Sequence, residues 1–273
     1  MAEPATTSPP AAGMAAAGMA ERDMLLATKL HPPRPRPGFL ARPRLLERLT
    51  QGAARELTLV CAPAGFGKTA LLADWAHHSP RPVAWLSLDE GDNDPARFWR
   101  HVAAALDKVG AGIGERVTAL LDPPPRSFEA VVTALVNELA AGRDPIVLVL
   151  DDYHLVEAPP IHELVGLLVD HLPAQLRLIL ASRNDPPLPL GRLRGGGQLT
   201  ELRAADLRFT AEEAGAVLHA ALGVGLPEAA VAALAARTAA PAPRSPAGSR
   251  PAPAAGGPAP PRSGSPARAG GCR

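Results

Sequence analysis

Cysteine, aromatic residues and long apolar runs are scarce in this sequence. Of its 273 residues, two are cysteines, and Phe, Trp and Tyr together make up 3%. Cys61 and Cys272 lie far apart, which excludes the disulfide framework of small secreted proteins. No apolar run reaches the length that spans a membrane, and the N-terminus lacks a basic leader followed by a strong apolar segment. These absences favour a cytoplasmic protein without a membrane partner.

A large excess of charge of one sign is also missing from the body of the chain. The segment 239–273 contains five Arg and no acid, which leaves 23 Lys and Arg against 27 Asp and Glu, a formal charge of −4, for residues 1–238. This balance excludes a basic nucleic-acid platform. Segments 1–23 and 239–273 hold too little apolar surface to offset the entropy of ordering, so we expect both to be disordered.

The middle of the chain alternates between apolar runs of strand length and helical patterns. ELTLVC, PVAWLSL, PIVLVLDD and LRLILAS predict buried strands, and LTEL predicts a short one. Helices are predicted in KTALLADWAHH, in ARFWRHVAAALDKV after the N-cap Asp94, from about Phe128 to Ala141 and in IHELVGLLVDHL, with a linker around the prolines at 123–125. The alternation predicts the α/β class, with a parallel sheet covered by helices and a functional site at the carboxyl ends of the strands.

Four segments follow from these patterns. Residues 1–23 form a disordered N-terminal segment, 24–205 the α/β core, 206–238 a partial helical lid and 239–273 a low-complexity tail. The lid is predicted because only helical patterns follow the last strand, and because Thr210 and Glu213 are spaced as a capping box.

A phosphate-binding loop stands between the first predicted strand and the helix after it. It follows G-x-x-x-x-G-K-[ST] except that Ala62 takes the first position, while Gly65 supplies flexibility within the loop. In such a loop, backbone N–H groups cradle phosphate oxygens, Lys68 neutralises the β and γ phosphates, and Thr69 offers its hydroxyl to Mg²⁺. The pattern predicts a P-loop NTPase core whose nucleotide contacts are Ala62, Pro63, Ala64, Gly65, Phe66, Gly67, Lys68 and Thr69.

Acidic and basic side chains stand at the ends of two later strands. A Mg²⁺ ion held by Thr69 needs a carboxylate on its other side, and Asp151 supplies one at the end of what we expect to be a neighbouring buried strand. Two roles are open for Asp152, which either orients the attacking water or caps the following loop. Arg183 ends another apolar strand and is a candidate for stabilising charge on the terminal phosphate.

Other residues that often carry chemistry do not predict a second site. Six of the eight histidines are scattered without metal-ligand spacing and are expected to be solvated: His77, His78, His101, His154, His162 and His171. The large aromatic side chains stand at core spacing: Trp75, Trp85, Phe98 and Trp99. Cys61, within a strand, is expected to be a small core residue. No metal site other than that for Mg²⁺ is predicted.

Five stretches, in this order, resemble the N-terminal ATPase module of MalT-like LuxR-family transcriptional regulators. They are LLATKLHPPRPRPGFLARPRLLERL, TLVCAPAGFGKTALLADW, VAWLSLDEGDNDPARFW, VLVLDDYHLVEAPPIHELVGLLV and LILASRNDPPLPLGRLR. This family belongs to the signal-transducing ATPases with numerous domains. The resemblance implies Lys68 and Thr69 as the Walker A pair, Asp151 as the Walker B acid, Arg183 as the sensor residue and a position near the nucleotide base for Arg42.

The resemblance also implies a switch between ADP and ATP forms, in which the ATP form self-associates and hydrolysis resets it. Members of the family continue into helical repeats and a helix-turn-helix that reads DNA, and neither is legible here, so no sequence-specific DNA binding by this chain alone is expected. The stretch LDEGDND is a further family feature, for which the sequence gives no physical role beyond its closeness to a strand end.

Three functional interpretations remain open from the sequence. The chain is a regulator module that binds nucleotide, a free-standing P-loop phosphotransferase, or a nonfunctional fragment of a frameshifted gene. The last interpretation reads the tail as out-of-frame translation of GC-rich DNA. It requires TGG across the codons of Ala247 and Gly248, and it predicts downstream DNA that encodes helical repeats and a helix-turn-helix in another frame.

Overall fold

A five-stranded parallel sheet forms the centre of the protein. The computed structural model describes residues 26–34, 39–110, 113–121 and 127–222. The strands are β1 (Leu57–Cys61), β2 (Val83–Ser87), β3 (Ile146–Asp151), β4 (Leu176–Ser182) and β5 (Leu199–Arg203), in the order β2-β3-β4-β1-β5. All four neighbouring pairs are parallel. The predicted α/β fold with a parallel sheet is therefore confirmed.

Helices connect the strands and cover the sheet. In the described ranges, the α-helices are α1 (Pro43–Gly52), α2 (Lys68–His78), α3 (Pro95–Asp107), α4 (Ile113–Leu121), α5 (Phe128–Ala141), α6 (Pro159–Asp170), α7 (Leu190–Gly195), α8 (Ala204–Leu207) and α9 (Ala211–Leu222). Short 3₁₀ helices are formed by Ala27–Leu30, Glu90–Asn93 and Tyr153–Leu155. None of the described helices has the length and apolar character that crossing a membrane requires.

Alternate residues of the strands feed two apolar layers, one on each side of the sheet. Leu57 and Leu59 belong to one layer, and Val60 belongs to the other. The same alternation separates Leu148 from Val149 on β3. Because both faces are covered, all residues of β1 and β3 are buried, and β3 is apolar without interruption from Ile146 to Leu150.

Several local predictions are confirmed at residue level. The carboxylate of Asp94 accepts a hydrogen bond from the backbone N–H of Arg97 at 2.8 Å and so caps α3. Thr210 and Glu213 form the reciprocal capping box at α9, with distances of 3.0 and 3.1 Å. The apolar character of Trp75, Trp85, Phe98 and Trp99 is reflected in their burial.

The order of the strands corrects one prediction and the helices correct another. β3 does not neighbour β1, because β4 lies between them. The stretch before Phe128, expected to be a linker, contains α4, whose Val117 and Leu121 are fully buried. The prolines at 123–125, the second half of the predicted lid and both terminal segments lie outside the described residues.

Candidate nucleotide-binding site

The phosphate-binding loop connects β1 to α2 at the carboxyl edge of the sheet. Gly65 and Gly67 have φ angles of 84° and 74°, in the left-handed region that side chains with a Cβ rarely adopt. Ala62 does not share this conformation, which explains why a residue with a Cβ is tolerated at the first position of the pattern. Its N–H donates to the carbonyl of Ser182 at 3.2 Å, and this bond attaches the loop to the end of β4.

The ammonium group of Lys68 is held under the loop. Lys68 is 6% exposed, and its Nζ donates to the carbonyls of Ala62 at 2.7 Å and Pro63 at 3.1 Å. Burial lowers the pKa of Lys68, against the opposing effect of the negative charges of Asp152 and Asp151. A buried cation with these neighbours is suited to receive an anionic ligand.

Thr69, at the start of α2, contacts Asp151 at the end of β3, although β3 is not adjacent to β1, which leads into the loop and α2. The hydroxyl of Thr69 donates to Oδ1 of Asp151 at 3.2 Å, so both oxygens face the same point. Burial, followed by the negative charge of Asp152, raises the pKa of Asp151 to about 6, while the hydrogen bond from Thr69 lowers it. Asp151 is 1% exposed, and the nearby charge of Lys68 lowers its pKa by less than desolvation raises it.

Asp152 has an unusual backbone conformation. Its φ of 57° makes it the one residue other than glycine, in the described part of the chain, with a left-handed conformation. Its side chain makes no capping hydrogen bond to the 3₁₀ helix that follows, contrary to one of the two roles considered for it. The carboxylate instead lies 3.8 Å from Nδ1 of His154.

His154 is a site residue that the sequence reasoning missed. We expected it to be solvated, but its side chain is 8% exposed, and within the described ranges neither ring nitrogen has a hydrogen-bond partner. Burial, and then the charge of Arg183, lowers the pKa of His154. The signal available in the sequence was its position three residues after Asp151. The same expectation is wrong for His101, which is 2% exposed.

Arg183 and Arg42 occupy different surroundings. Arg183 directly follows β4 and is exposed, and its charge lowers the pKa values of Lys68 and His154, so it lies near both side chains. Arg42 is 5% exposed and donates to the carbonyls of Leu207 at 2.8 Å and Arg208 at 2.7 Å. It therefore joins the core to the start of the lid, and its place near a nucleotide base stays a prediction.

The residues at this edge fit a Mg²⁺-bound nucleotide. No group of three or more His, Cys, Asp or Glu side chains in the described ranges could hold a metal ion. Mg²⁺, however, is usually bound through one or two protein oxygens together with substrate phosphates, and the hydroxyl of Thr69 and the carboxylate of Asp151 provide such a pair. Bound phosphate would give Lys68 an anionic partner in direct contact, and Mg²⁺ would give Asp151 a cationic one.

Comparisons with known proteins match this chain to an ATPase family and to multidomain proteins. The model of the AAA ATPase domain family matches residues 43–181, from the start of α1 to the residue before the end of β4. The HTH-type transcriptional regulator MalT of Serratia proteamaculans is 41% identical over 192 residues, which are 70% of this chain and 21% of MalT. The serine/threonine-protein kinase PknK of Mycobacterium tuberculosis is 37% identical over 216 residues, 78% of this chain and 20% of PknK.

The fold has a counterpart among solved structures. A signal transduction ATPase with numerous domains from Pyrococcus horikoshii, which carries a tetratricopeptide repeat sensor, superimposes with a TM-score of 0.53 at 18% identity. The match covers 74% of this chain and 28% of that protein. The chain thus spans about a fifth of the length of the curated relatives, and the resemblance to MalT-like regulators that its five motifs predicted is confirmed.

Proposed function

Because this chain belongs to the AAA ATPase domain family, and its ATPase region is similar to that of MalT, we propose that it is a switch module that binds ATP or ADP with Mg²⁺ and hydrolyses ATP slowly. The observation that carries this proposal is the convergence of Lys68, Thr69 and Asp151 at one edge of the sheet. The kinase activity named for PknK does not enter it, since the shared region is a fifth of that protein.

Nucleotide binding rests on the loop and its lysine. Ala64 and Gly65 are exposed and offer their backbone N–H groups to phosphate oxygens, and the glycine conformations keep the loop open toward solvent. Lys68 exchanges the two carbonyls that it now contacts for the β and γ phosphates. Thr69 and Asp151 would hold Mg²⁺, whose charge offsets that of the phosphates.

Hydrolysis is assigned to the side chains around this loop. Asp152 orients the attacking water and accepts its proton, a role supported by the absence of a capping bond from its carboxylate. Arg183 stabilises the negative charge that develops on the terminal phosphate. We expect turnover well below the figure of about 10 per second that is typical of metabolic enzymes.

The switch itself requires that the nucleotide state reaches the rest of the chain. The contacts of Arg42 and Arg44 with Glu213 connect the core to α9, which supports a lid that follows changes in the core. By the resemblance to MalT, we infer that the ATP form self-associates, and that sequence-specific DNA binding is absent from this chain alone.

A titration of the purified chain with a fluorescent ATP analogue tests nucleotide binding. Lys68→Ala should weaken the affinity by about 10- to 100-fold, because charge-assisted hydrogen bonds contribute about 1.5–3 kcal/mol. Lys108→Ala is the matched control, since Lys108 is exposed at the end of α3 and contacts His31 rather than the loop. Equal affinities of parent and Lys68→Ala would refute the assignment of the loop.

A further inference from the structure

The LDEGDND stretch after β2 is attached directly to the strand that carries Asp151. The backbone N–H of Leu88 donates to the carbonyl of Asp151 at 3.0 Å, continuing the ladder in which Ser87 pairs with Asp151. The 3₁₀ helix Glu90–Asn93 that follows therefore lies beside the carboxyl edge of the sheet. None of its side chains belongs to the phosphate-binding loop or to the pair Thr69 and Asp151.

The hydrogen bonds of Asp92 hold this 3₁₀ helix in place. Its carboxylate is fully buried, with Oδ1 2.6 Å from Nδ1 of His101 and Oδ2 bonded to the ammonium of Lys29. Oδ2 also accepts the N–H of Asp89 at 2.8 Å. Although burial raises the pKa of Asp92, the hydrogen bonds from His101 and Lys29 lower it to about 2, so the carboxylate stays ionised and paired. A buried ion pair with every oxygen bonded resists displacement.

Asn93, the last residue of this 3₁₀ helix, bonds to residues 155–158, which follow Asp151 and Asp152 in the chain. Its Nδ2 donates to the carbonyl of Leu155 at 2.9 Å, and its Oδ1 accepts the N–H groups of Glu157 at 2.6 Å and Ala158 at 3.0 Å. The side chain of Asn93 thus forms hydrogen bonds with both ends of the segment 155–158. Pro159 and Pro160, the first residues of α6, have no N–H to offer, so these bonds fix the entry to the helix without a cap from Ala158.

We propose that Asn93 is a positioning residue for ATP hydrolysis, which holds residues 155–158 so that Asp152 and His154 keep their orientation toward the nucleotide. The proposal rests on the proposed function. The short 3₁₀ helix Tyr153–Leu155 links residues 155–158 to Asp152, whose backbone is left-handed and whose carboxylate makes no capping bond to that helix. The LDEGDND stretch thereby gains a physical role that its sequence did not reveal.

The consequence is a loss of rate without a loss of affinity. Asn93→Leu keeps the approximate size of the side chain and removes all three bonds to residues 155–158. A displacement of about 1 Å in a catalytic group can lower a rate about 100-fold, so we expect the single-turnover rate of ATP hydrolysis to fall about 10- to 100-fold. The affinity for ATP should change less than about twofold, because Lys68 and the loop are untouched.

Asp94→Ala is the matched control. Asp94 is the adjacent residue, and its side chain caps α3 through the N–H of Arg97 instead of contacting residues 155–158. Both variants lose backbone hydrogen bonds in the same loop, so both should lower the thermal midpoint, but Asp94→Ala should hydrolyse ATP at the parental rate. Asn93→Asp retains acceptors for Glu157 and Ala158, loses the donor to Leu155 and should give an intermediate rate.

Single-turnover measurements with protein in excess over labelled ATP decide between the outcomes. If the parent hydrolyses ATP, and folded Asn93→Leu does so as fast as Asp94→Ala, the positioning role is wrong and the proposed function stands. If Asn93→Leu loses affinity in step with rate, the side chain supports binding rather than the catalytic segment, which also overturns the inference. A parent that binds no ATP or never hydrolyses it would refute the proposed function itself, and the positioning role with it.

Discussion

Replacing Asp151 by Asn should make the ligand-free protein more stable at neutral pH, although it damages the site. The carboxylate is 1% exposed, and burial together with Asp152 raises its pKa from the ordinary 3.8 to about 6. Each pKa unit corresponds to about 1.4 kcal/mol, so ionising this carboxylate in the folded state costs on the order of 3 kcal/mol. Asn removes the charge and keeps an oxygen that can accept the hydroxyl hydrogen of Thr69.

The sign of the pH dependence follows from the raised pKa. The folded state binds the proton more tightly than the unfolded state, so the parent loses stability as the pH rises from about 4 to about 6 and gains nothing further above that range. Urea denaturation should therefore show Asp151→Asn to be about 1–3 kcal/mol more stable than the parent at pH 7.5, with the difference vanishing near pH 4. Mg²⁺ with ATP should stabilise the parent and have less effect on the variant.

Asp92→Asn provides the opposite case on the same protein. The pKa of Asp92 is lowered to about 2, so its contribution to stability is present above its ordinary pKa of 3.8 and is lost as the pH falls toward 2. This variant should be less stable than the parent at pH 7.5, by about 3–5 kcal/mol, because it breaks a buried pair on one side.

If Asp151→Asn is not stabilised at pH 7.5, or if its gain persists at pH 4, the carboxylate of Asp151 is not the desolvated group described here.

Two further substitutions test the proposed role of Asp152 in hydrolysis and the junction that Glu213 forms with Arg42 and Arg44. Asp152→Asn should leave ATP affinity within about twofold of the parent and lower single-turnover hydrolysis by about 100-fold or more, since general base catalysis contributes about 10²- to 10⁴-fold; an unchanged rate would remove Asp152 from the chemistry. Glu213→Gln should weaken the junction with Arg42 and Arg44 and lower the thermal midpoint at pH 7, while at pH values near 2 the two proteins should converge. The reason is that burial raises the pKa of Glu213 but the hydrogen bonds from Arg44 and Arg42 lower it to about 2, so its stabilising charge is lost as the pH falls from about 4.5 to about 2; a midpoint that does not respond to the substitution would show that the junction contributes nothing.

Much of this architecture was predictable because it depends on local patterns. The apolar run of β3, the N-cap Asp94 and the capping box of Thr210 and Glu213 act over a few residues, and a reader of the sequence sees all of them. The phosphate loop was equally legible, since two glycines, a lysine and a hydroxyl residue must stand in a fixed order to cradle phosphate.

The remaining features depend on contacts between distant residues. The burial of His154 follows from how the 3₁₀ helix after Asp152 packs, and the pairing of Lys29 with Asp92 joins segments that no spacing rule connects. The position of β4 between β1 and β3 is likewise a property of topology, which strand patterns alone do not determine. The helix α4 was missed because the prolines after it suggested a loop.

The strand order also has a consequence for the sequence of events during synthesis. Among the described strands, β1, which leads into the phosphate loop, leaves the ribosome first, yet its partners β4 and β5 are the last two to be made. Until then, the apolar run Leu57–Cys61 has no strand to pair with and must be sheltered from aggregation. Pairing between strands that are distant in the chain slows folding, because the entropy cost of closing a long loop comes before any stabilising contact forms. A nascent chain that ends before β5 lacks one neighbour of β1, so we expect the proposed nucleotide binding to arise late, once the sheet is complete.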